Sequence, residues 1–406
     1  MRFFSLFMLL GLSTAISAQN INEKLVAYFP FTECKGTDES GNGSSGALID
    51  DASCVCGVRD SAIYFDGDAD AIFFVGPISD VFTTSDFSVS FYFKPAPVPA
   101  NYGGSQVLMS KQENCNTNRA FWVRFNPKSK KISAALSQND TLLANVTANL
   151  SPRSCWQYIT LTRSNTLFSI YVNGKLADSQ TSKARIDLTS NAVFKVGEPI
   201  CSLDRSYWGD IDELRIYSKA LNQDDINALN LRADQIITGD TLVYLGNSLQ
   251  IQSTPSCTDQ FLWTPSAGVS DDMNPEPIIT PTVTTTYKLE FSYPGCTASD
   301  TIRIKVIDPD TLDCNIIFIP NAFTPSASPG RNDVFGISNP YSVDEFISFE
   351  VFDRWGGRVF NAPTVFDTWD GTFQGDALNA GVFLYRLRYR CEGVERVKAG
   401  SLTLLR

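Results

Sequence analysis

The chain has no histidine among its 406 residues. This removes His-assisted nucleophiles, His general bases and His metal ligands, and leaves carboxylates, Lys, Tyr and Cys as the groups able to do chemistry. Three acids fall together in Gly209-Asp210-Ile211-Asp212-Glu213-Leu214-Arg215-Ile216-Tyr217. Read as a strand, this segment puts Asp210 and Asp212 on one face, and that face also carries Leu214 and Ile216. A carboxylate facing a core is costly unless it is paired, and a metal ion, an arginine or a set of backbone N–H groups can pair it. Calcium takes oxygen ligands, and the Asp38/Asn42 loop is a second source of them. One expectation is therefore a structural calcium ion held by Asp38, Asn42 and Asp212. The plainer one is an ordinary turn loop and a strand-end Asp whose oxygens accept hydrogen bonds. Asp66-Gly67-Asp68-Ala69-Asp70 also has the look of a metal loop, but it lacks the flanking pattern and terminal Glu of an EF-hand. Its Asp-Gly pair more simply makes a turn between Ile63-Tyr64-Phe65 and Ile72-Phe73-Phe74.

The charge balance narrows the partners. Lys and Arg number 33 against 44 Asp and Glu, a net charge of −11, so a nucleic-acid backbone is not an expected ligand. The N-terminus reads as a leader: Arg2 supplies the positive charge, residues 3–16 are largely apolar, and Ser17 and Ala18 are small. Residues 1–18 are assigned as a signal peptide cleaved before Gln19. The run is shorter than the roughly 20 apolar residues of a membrane span, and no later stretch is long and apolar enough, so the mature chain is expected to be exported without a transmembrane segment.

Export makes the ten cysteines disulfide candidates. Six fall in the first half: Cys34, Cys54, Cys56, Cys115, Cys155 and Cys201. Their connectivity is open, with Cys34 to Cys54 or Cys56, and Cys115 to Cys201, as working pairs. Cys257 and Cys296 stand alone in the middle segment, so pairing with each other is the simplest assignment. Cys314 and Cys391 flank the last segment and are assigned to each other.

The elements that must position these residues are strands. Phe87, Val89, Phe91 and Phe93 share one face of an alternating run; Ile159 and Leu161 alternate with Tyr158, Thr160 and Thr162; Phe168, Ile170 and Val172 alternate before Asn173-Gly174, a pair that tolerates positive φ in a hairpin turn. Only residues 222–233 have a helical pattern, with Ile226, Leu229 and Ala233 on one side, Asn222 as cap and Asp224 and Asp225 in the first turn. Hydrophobic residues at 43% and charged residues at 19% fit ordinary folded cores. Many short strands between Gly, Pro, Asn and Asp turns define an all-β chain of sandwiches. Texture changes divide it into residues 24–232, 234–308 and 314–406.

Several motifs carry family resemblances. Leu25-Val26-Ala27-Tyr28-Phe29-Pro30-Phe31, Asp38-Glu39-Ser40-Gly41-Asn42-Gly43, residues 62–70, Trp156-Gln157-Tyr158-Ile159, Ile170-Tyr171-Val172-Asn173-Gly174 and residues 209–217 together resemble the laminin-G-like, concanavalin A-like jelly rolls of bacterial surface proteins. The resemblance implies two antiparallel sheets packed face to face, a glycan or protein ligand and often a structural calcium. Tyr207 and Trp208, in a loop before the acidic strand, are then candidates to stack on a sugar, as exposed aromatics do; Trp122 and Trp156 lie within strand-like runs and are assigned to the core. The fold also hosts glycosidases, so the alternative is a carboxylate-dependent carbohydrate-active enzyme. Retaining hydrolysis needs two carboxylates about 5 Å apart across an open cleft, and here Arg215 and Tyr217 stand where such strands carry a further acid.

Residues 234–308 are similar to small Ig-like or PKD-like modules, with Trp263 as the core residue, and read as a spacer. The last segment carries Ile317-Phe318-Ile319-Pro320-Asn321-Ala322-Phe323-Thr324-Pro325, Val351-Phe352-Asp353-Arg354-Trp355-Gly356-Gly357, Trp369-Asp370-Gly371 and Gly381-Val382-Phe383-Leu384-Tyr385. It resembles the gliding-motility-associated C-terminal domain, the type B sorting domain of the type IX secretion system of Bacteroidota. Where that family has an Asn-Gly-Asp-Gly loop, Ser326-Ala327-Ser328-Pro329-Gly330-Arg331 stands here, so no metal is carried over. Phe383, Tyr385, Leu387 and Tyr389 share its core face, while Arg386, Arg388 and Arg390 form a stripe on the other, either a solvated face or a contact for the translocon or anionic polysaccharide. The expectation is an exported, non-enzymatic surface or secreted protein of a Gram-negative bacterium, with the type IX machinery and a glycan or extracellular protein as partners.

Overall fold

The computed structural model describes residues 20–49, 52–258, 260–325 and 332–405; the expected leader and the loop at 326–331 lie outside them. The first domain is a sandwich of two 8-stranded sheets. One runs, in spatial order, Lys175–Thr181, Leu167–Val172, Gln157–Ser164, Phe87–Pro95, Trp208–Tyr217, Ser61–Asp66 and Ser53–Cys56, with Leu25–Phe29 pairing off Trp208–Tyr217. The other runs Leu143–Asn149, Lys131–Ser137, Ala120–Asn126, Gln106–Lys111, Phe194–Val196, Ala71–Val75 and Ser45–Ile49, with Arg205–Ser206 beside Gln106–Lys111.

Alternation along the strands builds the core. Phe87, Val89, Phe91 and Phe93 are fully buried and meet Phe121, Val123 and Phe125 of the facing sheet, with Phe93 and Phe125 rings 5.6 Å apart. Asn173 and Gly174 take φ of 50° and 80°, the hairpin geometry their types favour. The Asp66–Asp70 turn does not close a hairpin; it carries the chain from one sheet to the other, and Asp70 Oδ2 accepts from Asp66 N at 2.8 Å.

The outer face of the first sheet has a second apolar layer of Tyr92, Trp156, Tyr158 and Tyr217, covered by Ile226 and Leu229 of the helix Gln223–Leu229. Asn222 caps that helix through a capping box with Asp225. The helix stops earlier than its pattern predicts. Asn230 takes extended dihedrals, and its side-chain oxygen accepts instead from Tyr92 OH at 3.2 Å and Arg232 N at 3.0 Å.

The chain forms two compact units, and the middle segment is divided between them rather than standing alone. One unit extends to Gly239 and adds Gln250–Ile279 and Thr286–Ile302; the other comprises Asp240–Leu249, Thr280–Thr285 and Arg303–Arg406. In the first unit Phe261–Thr264 pairs with Thr285–Tyr293, and Trp263 is buried as expected, its Nε1 donating to Asn274 O at 2.9 Å.

Five disulfides cross-link the described chain. Cys115–Cys201 and Cys314–Cys391 form as expected, and of its two candidate partners Cys34 takes Cys54. Cys257 and Cys296 do not pair with each other. Cys257 bonds Cys56 and Cys296 bonds Cys155, so two bridges fasten this part of the middle segment to the jelly roll.

The second unit contains a 5-stranded sheet ordered Ala322–Phe323, Val394–Leu404, Gly381–Cys391, Glu345–Phe352 and Arg358–Ala362. Phe383, Tyr385, Leu387 and Tyr389 face its core beside Phe335, Phe349 and Trp369, as the alternation predicts. No described helix is long and apolar enough to cross a membrane.

Candidate functional site

The acidic strand Trp208–Tyr217 lies between Phe87–Pro95 and Ser61–Asp66. Its register shifts between Asp212 and Arg215, where Glu213 takes a left-handed φ of 55°. This bulge inserts one residue and exchanges the faces. Leu214 and Ile216 point into the sandwich core, while Asp212 sits opposite Tyr92 on the outer face, contrary to the shared face read from simple alternation.

Each acid is committed to the chain itself. Asp210 stands opposite Lys94 in register and forms an ion pair with it at 2.7 Å. Burial raises the Asp210 pKa, and Lys94 offsets part of that rise. Asp212 is wholly buried; its Oδ2 accepts from Val58 N at 2.7 Å and Arg59 N at 3.3 Å, and its Oδ1 accepts from Glu213 N at 2.7 Å. Burial, and then the neighbouring Glu213 charge, lift its pKa to about 8 against the pull of those N–H groups. Glu213 accepts from Tyr28 OH at 2.9 Å and pairs with Arg215 at 2.5 Å, whose guanidinium lies 3.9 Å from the Tyr28 ring centroid. Hydrogen bonds and ion pairs within the chain hold all three acids, and Asp210, paired with Lys94, also borders a cleft.

The residues expected to hold calcium are each engaged by hydrogen bonds within the chain. Asp38 Oδ1 accepts from Tyr28 N and Ser40 N, both at 2.9 Å, and its Oδ2 accepts from Ser44 N at 3.0 Å, so the carboxylate staples its own loop to Leu25–Phe29. Asn42 turns its amide N–H groups to Leu25 O at 2.9 Å and Ser40 Oγ at 3.1 Å. Asp212 closes a different turn. Backbone N–H groups supply the positive ends that a cation would otherwise provide. Among the described residues, one set of three acid or thiol ligand atoms clusters closely, Cys314, Asp344 and Cys391, and its two sulfurs are bonded to each other.

Tyr207 is also corrected. It is fully buried against Phe65 and Phe93, with its hydroxyl directed at the carbonyls of Lys94 (3.0 Å) and Asp210 (3.1 Å), so it offers no face to a ligand. Trp208 is half-buried, and its indole N–H donates to Tyr64 OH at 2.8 Å. Trp156 is core, but Trp122 is half-buried on the outer face of the second sheet, beneath the Arg124 guanidinium at 4.1 Å.

Trp208 borders a cleft of about 520 Å³ with Tyr64, Lys94, Pro97, Asp210 and Tyr293. The Lys94 Nζ lies 4.9 Å from the Trp156 ring centroid and 4.8 Å from that of Tyr293. Tyr293 donates to Asp234 Oδ1 at 2.5 Å, which fixes its ring. Gly295 follows at φ 77°, and a Cβ there would lie 2.5 Å from Pro97 Cγ, so its lack of a side chain permits the approach. Tyr64, Lys94 and Tyr293 were missed at the level of sequence because the wall that Tyr293 provides depends on the two bridges. The outward positions of Tyr64 and Lys94 in alternating strands were the one signal available.

In the C-terminal sheet each arginine of the stripe has an acidic partner, and Glu350 is shared by Arg386 and Arg358. Arg386 pairs with Glu350 at 2.8 Å, Arg388 with Glu395 at 2.6 Å and Arg390 with Glu345 at 2.6 Å. These are pairs with neighbouring strands.

Comparison with known proteins agrees with the two ends of the chain. Residues 66–227 match the concanavalin A-like lectin/glucanases superfamily, and residues 317–404 match the CHU_C type IX secretion signal domain. No curated protein matches the chain. Similar solved structures include the binding domain of botulinum neurotoxin DC in complex with SialylT, at 12% identity and TM-score 0.45, covering 95% of this chain and 94% of that one. Domain 4 of AbnA, a GH43 extracellular arabinanase from Geobacillus stearothermophilus in complex with arabinotriose, is 21% identical at TM-score 0.38, covering 51% of this chain and 98% of that one. The Ruminococcus gnavus IT-sialidase CBM40 bound to alpha2,6 sialyllactose is 14% identical at TM-score 0.35, covering 42% and 96%. The chain carries a concanavalin A-like domain and, at its C-terminus, a type IX secretion signal that marks it for export.

Proposed function

We propose that this chain is an exported, non-enzymatic binding protein. Its concanavalin A-like domain holds a glycan or an extracellular protein, and residues 314–406 present it to the type IX machinery for delivery to the surface or surroundings of a Gram-negative, Bacteroidota-type cell. The observation that carries the binding half is the fate of the acidic strand. Asp210 is paired with Lys94, Asp212 is enclosed by backbone N–H groups and Glu213 is held by Arg215 and Tyr28. Hydrolysis by paired carboxylates needs one acid free to move a proton and another free to attack or to activate water, and these three are otherwise engaged. The secretion-signal match over residues 317–404 supports the export half.

Deleting residues 314–406 in a host with a working type IX system tests delivery. The shortened chain should stay in the periplasm while the full chain reaches the outside; equal release of both contradicts the reading. Retention of the purified full chain on arrays of glycans and extracellular proteins tests binding. Failure to bind either class contradicts that half alone.

A further inference from the structure

We propose that the cleft lined by Trp208, Tyr64 and Tyr293 is a site for an uncharged saccharide, and that it is complete only because two disulfides fasten the middle segment onto the jelly roll. This rests on the binding reading above and names its site and ligand class. The chemistry of the walls selects the ligand. A sugar ring has a C–H face that lies against aromatic rings and a rim of hydroxyls that both donate and accept hydrogen bonds. Three aromatic side chains border the cleft, and its polar residues include the Lys94–Asp210 pair, with N and O 2.7 Å apart. Such a pair offers donor and acceptor side by side and has no net charge, so neither an anion nor a cation is preferred. A volume of about 520 Å³ lies within the range of roughly 300–1,000 Å³ usual for small-molecule sites.

The site is composite. Tyr64, Lys94, Trp208 and Asp210 come from the jelly roll, whereas Tyr293 comes from the middle segment. Both bridges, Cys56–Cys257 and Cys155–Cys296, have a cysteine on the cleft border. Ser299 N also donates to Arg153 O at 2.8 Å, a further tie between the middle segment and the jelly roll. A rigid wall lowers the ordering cost of binding, as preorganisation does generally.

The test uses the full-length oxidised chain on an array of neutral oligosaccharides of about two to six sugars, alongside immobilised extracellular proteins. The wild type should be retained by at least one neutral oligosaccharide. Trp208→Ala and Tyr293→Ala should each weaken that retention about tenfold or more, in the range of removing an aromatic anchor. Tyr293→Phe, which keeps the ring but loses the Asp234 bond that fixes it, should fall between wild type and Tyr293→Ala and so separates stacking from loss of the whole wall. Trp122→Ala, on the other sheet, should leave retention unchanged. Retention lost in Trp122→Ala but kept in Trp208→Ala and Tyr293→Ala overturns the site while sparing the binding reading. Retention by proteins alone overturns the saccharide and likewise spares that reading; retention by neither overturns both.

Discussion

Asp212 illustrates how a carboxylate is buried without a cation. Backbone N–H groups from Val58, Arg59 and Glu213 surround it, yet burial still lifts its pKa to about 8 from the ordinary 3.8. The folded chain therefore keeps, between about pH 4 and 8, a proton that the unfolded chain releases, and stability falls as pH rises through that window. Asp210 and Asp234, whose pKa values are also raised by burial, act in the same direction. Melting temperatures from pH 4.5 to 8.5 should decline in the wild type and decline less steeply in Asp212→Asn; equal slopes would contradict this assignment. At this scale the sequence revealed that Asp212 needed a partner, and N–H groups were among the partners it allowed. It did not reveal that Tyr207 is core. That depends on the neighbouring Gly209, where a Cβ would lie 2.6 Å from the Tyr207 hydroxyl.

At the scale of elements, alternation was a sound guide wherever strands were regular, as for Phe87–Pro95 and Gly381–Cys391. It failed at the bulge in Trp208–Tyr217, because one inserted residue reverses every face beyond it and no residue type announces the insertion. The start of the same strand is equally constrained. Gly209 has φ 141°, and a Cβ there would meet Lys94 O at 2.3 Å. Gly209→Ala should destabilise the chain by more than about 2 kcal/mol, read as a lower midpoint in chemical denaturation. A midpoint equal to that of wild type would mean that the strand does not pass this close to Phe87–Pro95.

For the whole molecule, three segments were legible from motif texture, but their grouping was not. Cys54 and Cys56 are two apart in one strand and bond different partners, Cys34 and Cys257, and local spacing cannot choose between them. The link from Cys155 to Cys296 spans 141 residues and can be inferred only once the packing is known. Peptide mapping without reduction should recover Cys56–Cys257 and Cys155–Cys296. Recovery of a Cys257–Cys296 peptide would restore the middle segment as a separate spacer and dissolve the composite cleft. Opening either long bridge by paired Cys→Ala substitution should lower stability by about 3–5 kcal/mol, since long loops are closed by these bonds.

The central proposal is that the concanavalin A-like domain binds its ligand and does not cleave it. The most direct measurement is release of new reducing ends by the purified full chain from the polysaccharides that retain it. Retention with release no faster than in buffer is the expected result. Release above that rate, abolished by Asp210→Asn, would contradict it, because a carboxylate engaged only with Lys94 would then be shown to do chemistry.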